Sequence, residues 1–206
     1  MKKTLVCVPS MDQVPAQFAQ SLACLQKVGQ VAVAFQISSL VYTARNELAK
    51  KAIEMGADYV LWLDSDMVFA PDILKLLLEA DRDFVTGVYY RRVQPYTPVL
   101  LDQLEITENG CTNHNIDEVP ETLTEVAGCG FGCVLMKTQV LFDVACIYQE
   151  MFAPINGVGE DLSFCHRARS IGYHIYVEPS VKCGHVGHQI ITEEFYKSFK
   201  GATDDK

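Results

Sequence analysis

The chain has 206 residues, the size of one large domain, and 49% of them are apolar, too many for a disordered segment. A net charge of −9 and an isoelectric point near 5.0 disfavour a broad basic face for duplex DNA or an anionic membrane, but leave room for a small site for a phosphorylated ligand. No apolar run approaches the length needed to cross a bilayer, so stable membrane insertion is not expected.

Lys2 and Lys3 precede an apolar run that Pro9, Ser10 and Asp12 end too early for a secretory signal. Residues 5–9 are therefore expected to form a first strand. Residues 15–28 carry Phe18, Leu22 and Leu25 at helical spacing, with Pro15 near the first turn. A second strand is expected over 30–37, and a helix over 42–55 stopped by Gly56. The run Tyr59-Val60-Leu61-Trp62-Leu63 has no helical period and reads as a strand buried on both faces. A helix over 71–80 and a strand over 84–89 follow. This alternation predicts an α/β fold, a mostly parallel sheet with helices on both faces.

After Arg92 the texture changes. Short β-leaning segments fall at 99–104, 106–111 and 123–127, broken by the hairpin-type dipeptide Asn109-Gly110. A strand at 134–136, a helix over 138–148 capped by Thr138, and a helix over 162–171 capped by Asp161 and stopped by Gly172 come next. Strands at 173–177 and 180–183 and a helix over 192–200 complete a small mixed β region. One domain, 1–206, is expected, with a nucleotide-binding half at 1–92 and an acceptor- and metal-completing half at 93–206. The eight cysteines include no C-x-x-C pair, and Cys7, Cys24, Cys129, Cys133 and Cys146 lie in or beside apolar segments. Free thiols in a cytoplasmic chain are the expectation.

Four groups could carry chemistry. Asp64 and Asp66 end the buried strand, where open α/β sheets bind ligands. Two carboxylates there suit a hard divalent cation shared with substrate phosphates, although an aspartate after a strand can also merely cap a turn. Glu160 and Asp161 open a helix, so Asp161 could cap it or act as a general base, with Glu160 a second candidate. Cys183-Gly184-His185-Val186-Gly187-His188 permits two metal readings. Zinc on Cys183, His185, His188 and Cys165 lacks a standard spacing; His185 joining Asp66 on a manganese-like ion is compatible with imidazole and carboxylate ligands. Arg45, near a helix start, could face the acidic pair or a nucleotide, and one of Arg91 and Arg92 could reach a phosphate. Gly128-Cys129-Gly130-Phe131-Gly132 precedes a strand rather than a helix, which argues against a dinucleotide loop and for a bulge or a loop that lets backbone approach substrate.

In order, Thr43-Ala44-Arg45-Asn46, Asp64-Ser65-Asp66, the Gly128 to Gly132 loop, Gly159-Glu160-Asp161 and His185-Val186-Gly187 resemble the motifs of GT-A glycosyltransferases, particularly small proteins near glycosyltransferase family 2. The resemblance implies a GT-A-like fold, a nucleoside-diphosphate sugar donor and manganese or magnesium. It implies Asp66, Asp64 and His185 as metal ligands and Arg45 as part of the nucleotide pocket; Asp64, Pro9, Arg91 and Gly130 are the further substrate-binding residues expected. Asp161 falls at the base of inverting members, with Glu160 beside it. The acceptor would be a hydroxyl on a saccharide, a protein or a modified nucleobase. Ser10-Met11-Asp12-Gln13 stands where family 2 has Asn plus an acidic residue, which leaves a retaining relative open. A nucleotidyltransferase and a non-catalytic nucleotide-sugar-binding protein are the alternative readings.

Overall fold

The structure, a computed structural model, describes residues 1–108, 110–187 and 190–204. Asn109 of the predicted hairpin dipeptide and His188 of the zinc reading lie outside the described residues. In chain order the elements are β1 (Lys3–Ser10), α1 (Ala16–Cys24), β2 (Gln30–Ile37), α2 (Val41–Glu54), β3 (Tyr59–Leu63), β4 (Met67–Val68), α3 (Ile73–Glu79), β5 (Phe84–Val88), β6 (Leu100–Thr107), β7 (Gly110–Asn115), β8 (Thr124–Val126), β9 (Gly128–Cys129), β10 (Cys133–Lys137), α4 (Thr138–Ile147), α5 (Glu160–Ser170), β11 (Ile175–Lys182), β12 (Gly184–Val186), β13 (Ile190–Ile191) and α6 (Glu193–Asp204).

The main sheet has seven strands in the order β2-β1-β3-β10-β5-β11-β8. β1 is parallel to β2 and β3, and β5 to β11, while β10 is antiparallel to both β3 and β5 and β8 to β11. Two antiparallel steps restore direction, so β2, β1, β3, β5 and β11 all run the same way. The sheet is mostly parallel, as the alternation predicts, and the late strand β10 sits between two early ones. Two small sheets, β13-β12-β4 and β7-β6-β9, flank it.

Alternation along the strands divides the core. Val60 and Trp62 of β3 enter one cluster with Phe84, Phe131, Phe152 and Phe164; Tyr59, Leu61 and Leu63 enter another with Phe18, Phe69, Leu74 and Leu77. A period of two thus sends apolar side chains to helices on both faces. In the first cluster Phe152 and Phe164 stack at 4.4 Å and Trp62 meets Phe152 edge-on at 5.2 Å. Truncating any of these rings to Ala would cost about 3–5 kcal/mol.

Several local expectations need correction. The first helix ends at Cys24, not residue 28, because Gln26 N–H leaves the helix to donate to Pro71 O. Thr138 is the first residue of α4 rather than its cap: Lys137 still belongs to β10, and Thr138 N–H donates to Asp58 O. Asp161 is likewise inside α5, one residue past Glu160, and Gly159 takes the cap position. The segments expected at 99–104 and 106–111 are instead the hairpin β6–β7, and those at 173–177 and 180–183 are one strand, β11, with an irregular register between Val177 and Lys182. The structure contains no disulfide among the eight cysteines, and no helix among the described residues is long and apolar enough to cross a membrane.

Candidate active site

The parallel strands β1, β2 and β3 end side by side at Ser10, Ile37 and Leu63. Beyond them lies a cleft of about 490 Å³ lined by Pro9, Ser10, Ser38, Ser39, Arg45, Asp64, Asp66, Arg92, Glu160 and His185, among others. Its position follows from the fold, since parallel strands leave a crevice at their carboxyl ends.

Asp66 and His185 are far apart in sequence, and the small sheet joins them. Residues 64–67 turn tightly, with Met67 N–H donating to Asp64 O. β4 then pairs with β12 in a register that sets His185 opposite Met67, and Val186 N–H donates to Asp66 O at 2.8 Å. The result is His185 Nε2 at 3.5 Å from Asp66 Oδ2. His185 Nδ1 lies 2.9 Å from Tyr90 O, and a carbonyl only accepts, so Nδ1 carries the hydrogen. Nε2 is therefore the ring atom turned toward the Asp66 carboxylate: with a proton it donates to Oδ2, and without one its lone pair is open to a cation. The Tyr89 ring meets the imidazole edge-on at 5.5 Å and braces it. Burial raises the Asp66 carboxyl, but the contact with His185 and the charge of Arg92 outweigh it, and the net shift is downward.

Arg45 is buried at 2% exposure, pointing inward from α2. Its Nη2 donates to Asp64 Oδ1 at 2.8 Å and its Nε to Glu160 Oε1 at 3.3 Å. The remaining edge, with Nη1 unpartnered, lies against aromatic rings: the guanidinium carbon is 5.1 Å from the centroid of Phe131 and 5.7 Å from that of Trp62. Arg45 therefore ties the end of β3 to the start of α5 as a strut beneath the cleft. Desolvation pulls its pKa down, but Asp64 and Glu160 more than compensate.

Of the two acids on α5, Glu160 lines the cleft. Asp161 is partly buried beside it and accepts a hydrogen bond from Leu162 N–H at 2.8 Å. Burial, then the charge of Glu160, pushes the Asp161 carboxyl up to about 6.

The sequence-derived set divides on inspection. Pro9, Arg45, Asp64, Asp66, Glu160 and His185 share the cleft, with Asp161 next to it. Arg91 turns away, its Nη2 donating to Asn115 Oδ1, whereas Arg92 Nη1 sits 2.9 Å from Asp66 Oδ2. Gly130 is not on the cleft wall: a Cβ there would lie 1.9 Å from Tyr89 Oη, so the glycine makes room for that ring. Cys183 packs against Cys133, and among the described residues no group of three His, Cys, Asp or Glu side chains converges on a point. The zinc reading also needs His188, which lies outside the described residues. Ser10, Ser38 and Ser39 line the cleft without having been singled out. Their place just past parallel strands was the available signal.

The donor set suits a magnesium- or manganese-like ion. One carboxylate and one imidazole fixed by a backbone carbonyl converge, and such ions take few protein ligands and complete their shell with water and substrate phosphates. Asp64 lines the same cleft and lends its Oδ1 to Arg45. Three carboxylates, Asp64, Asp66 and Glu160, face two guanidiniums across the cleft, a deficit that an added cation would fill.

No protein-family profile matches the chain. Its fold is shared with solved structures. A197 from STIV superposes with a TM-score of 0.66 at 20% identity, covering 93% of this chain and 94% of that one. GalNAc-T7, solved with UDP, GalNAc and Mn2+, superposes with a TM-score of 0.61 at 11% identity, covering 94% of this chain and 44% of that one. The architecture is thus GT-A-like, that of a class of glycosyltransferases. By sequence the chain is 26% identical over 150 residues to "Procollagen lysyl hydroxylase and glycosyltransferase" of Acanthamoeba polyphaga mimivirus. The match takes in 70% of this chain and only 16% of that protein's length.

Proposed function

We propose that this chain is a glycosyltransferase domain that moves a sugar from a nucleoside-diphosphate donor to an acceptor hydroxyl with inversion. The observation that carries the reading is the convergence of Asp66 Oδ2 and His185 Nε2 at the rim of a GT-A-like sheet. The likeness to a structure solved with UDP and Mn2+ supports the donor class and the ion.

Asp66 and His185 would hold a manganese or magnesium ion, which when bound neutralises charge on the diphosphate leaving group. Ser10, Ser38 and Ser39 offer hydroxyls to the nucleoside end of the cleft. Arg92 is free to leave Asp66 for a phosphate, because it is half exposed and reaches in from outside the sheet. Arg45 keeps Glu160 and Asp64 in place and away from the incoming anion. Asp161 takes the acceptor proton; a carboxyl raised to about 6 is a better base at neutral pH than an ordinary carboxylate.

Calorimetric titration with UDP and GDP, with and without Mn2+, tests the proposal. The unaltered chain should bind one of them only when the metal is present. Asp66→Ala should weaken that binding by about tenfold or more while leaving the thermal midpoint nearly unchanged. A well-folded sample that binds neither nucleotide in Mn2+ would overturn it.

A further inference from the structure

β2 is the free edge of the seven-stranded sheet, and it lacks the usual protections of an edge. All eight of its residues pair with β1 in unbroken register, so no bulge twists it away. It contains no proline and no charge, and residues 28–44 contain no Asp, Glu, Lys or Arg in a chain that is 21% charged. Val33, Phe35 and Ile37 on one face are 43%, 45% and 66% exposed, and Leu40 and Val41 follow at 51% and 40%. A long, flat, apolar edge of this kind is a template for another strand.

The hydrogen bonds fix which backbone groups are available. Gln30 N–H donates to Lys2 O and Ser38 N–H to Ser10 O, so the even-numbered residues face β1. Val31, Val33, Phe35 and Ile37 therefore turn their N–H and C=O groups outward. An antiparallel copy of the same strand, related by a two-fold axis at Ala34, would set Val33 opposite Phe35 and Val31 opposite Ile37, each pair exchanging two hydrogen bonds. All four outward residues are used, about eight bonds form, and aliphatic side chains meet aliphatic or aromatic ones on one face.

We infer that this edge is the contact between two copies of the chain, joined β2 to β2 in that register. The absence of charge is what a self-pairing surface needs on a chain of net charge −9, because any carboxylate near the axis would meet its own image. The apolar side chains offer roughly 450 Å² per copy, and with the backbone the pair would bury about 1,000 Å², near the lower end of specific interfaces. A concentration-dependent dimer is thus expected rather than a permanent one. The antiparallel arrangement turns the two clefts in opposite directions, and each begins at Ser38, one residue beyond the paired strand.

Sedimentation velocity on the full chain should show dimer rising between about 1 and about 100 µM. Hydrogen exchange at amides 31, 33, 35 and 37 should slow over the same range, since these groups face solvent in the monomer. Val33→Lys and Phe35→Glu should each weaken association about tenfold or more, with folding checked by circular dichroism. Combining the two substitutions sets the new ammonium of each copy opposite the new carboxylate of the other, and should restore association. Val33→Lys decides the matter if the Phe35 variant unfolds, because Phe35 also touches Phe18. A chain that stays monomeric, a dimer indifferent to Val33→Lys, or a folded double variant that is weaker than both single ones would overturn the assignment.

Discussion

Replacing Asp161 with Asn is expected to stabilise the protein at neutral pH while removing transfer. Burial and the neighbouring Glu160 charge raise the Asp161 carboxyl to about 6 in the folded chain, despite the Leu162 N–H bond and the charge of Arg45. An unfolded aspartate titrates near 3.9, so ionising the folded group costs up to about 3 kcal/mol. The folded state holds this proton more tightly than the unfolded one. The stability linked to it is therefore complete below about pH 4 and is lost as pH rises through about 6. Asn never ionises, yet its amide oxygen can still accept from Leu162 N–H. The variant should match the unaltered chain near pH 4, pull ahead between about pH 4 and 6, and level off about 1–3 kcal/mol more stable at pH 7, partial exposure trimming the upper figure. For a chain of this length that raises the thermal midpoint by about 3–10 °C. Urea titrations at four pH values, paired with a transfer assay, would measure it. A variant less stable at pH 7, or a stability difference flat across that range, would refute the account of Asp161 as a strained buried acid.

Arg45→Met leaves Asp64 and Glu160 facing each other without their shared cation and should cost about 3–5 kcal/mol in urea unfolding. Arg45→Lys should recover less than half of that, since one ammonium cannot span both partners in the plane the guanidinium uses. Arg92→Ala releases Asp66 Oδ2, so calorimetry should find Mn2+ alone bound more tightly, while nucleoside diphosphate in saturating Mn2+ binds about tenfold more weakly. Gly130→Ala drives a methyl into the Tyr89 hydroxyl and should cost about 2 kcal/mol; in a Tyr89→Phe background the penalty should shrink, giving a coupling of about 1 kcal/mol in a double-mutant cycle.

The first half of the fold was legible because its signals are local. Tyr59 to Leu63 is apolar at every position, and Ile73, Leu74 and Leu77 mark the buried stripe of α3. Such patterns place most of these elements within a residue or two, although α1 ends four residues before the expected 28. What they do not carry is pairing order. β10 could be read as a strand, but nothing in Cys133 to Lys137 says that it runs antiparallel between β3 and β5. The site behaves in the same way. Asp64, Asp66 and His185 stood out by residue type, whereas the different duties of the two aspartates depend on Arg45 and on the β4–β12 register. The choice between Arg91 and Arg92 was likewise hidden, because nothing local distinguishes two adjacent arginines and only the tertiary frame says which of them reaches the cleft. The glycines at 130 and 132 were visible as glycines, but the ring that demands them, Tyr89, is about forty positions earlier.

The placement of β10 also governs how the chain can be assembled. β3 and β5 leave the ribosome within about thirty residues of each other, yet they never pair; their facing edges wait for residues 133–137. Until that insertion, Asp64 N–H has no Gly132 carbonyl to bind, so the acidic turn lacks one of its anchors. Non-local pairing of this kind is slow, since loop closure is lost before contact is gained. Competence for chemistry should therefore arrive as one of the last events of folding, after the nascent chain has carried β3 with an unpaired edge for about seventy residues and β5 for about forty-five.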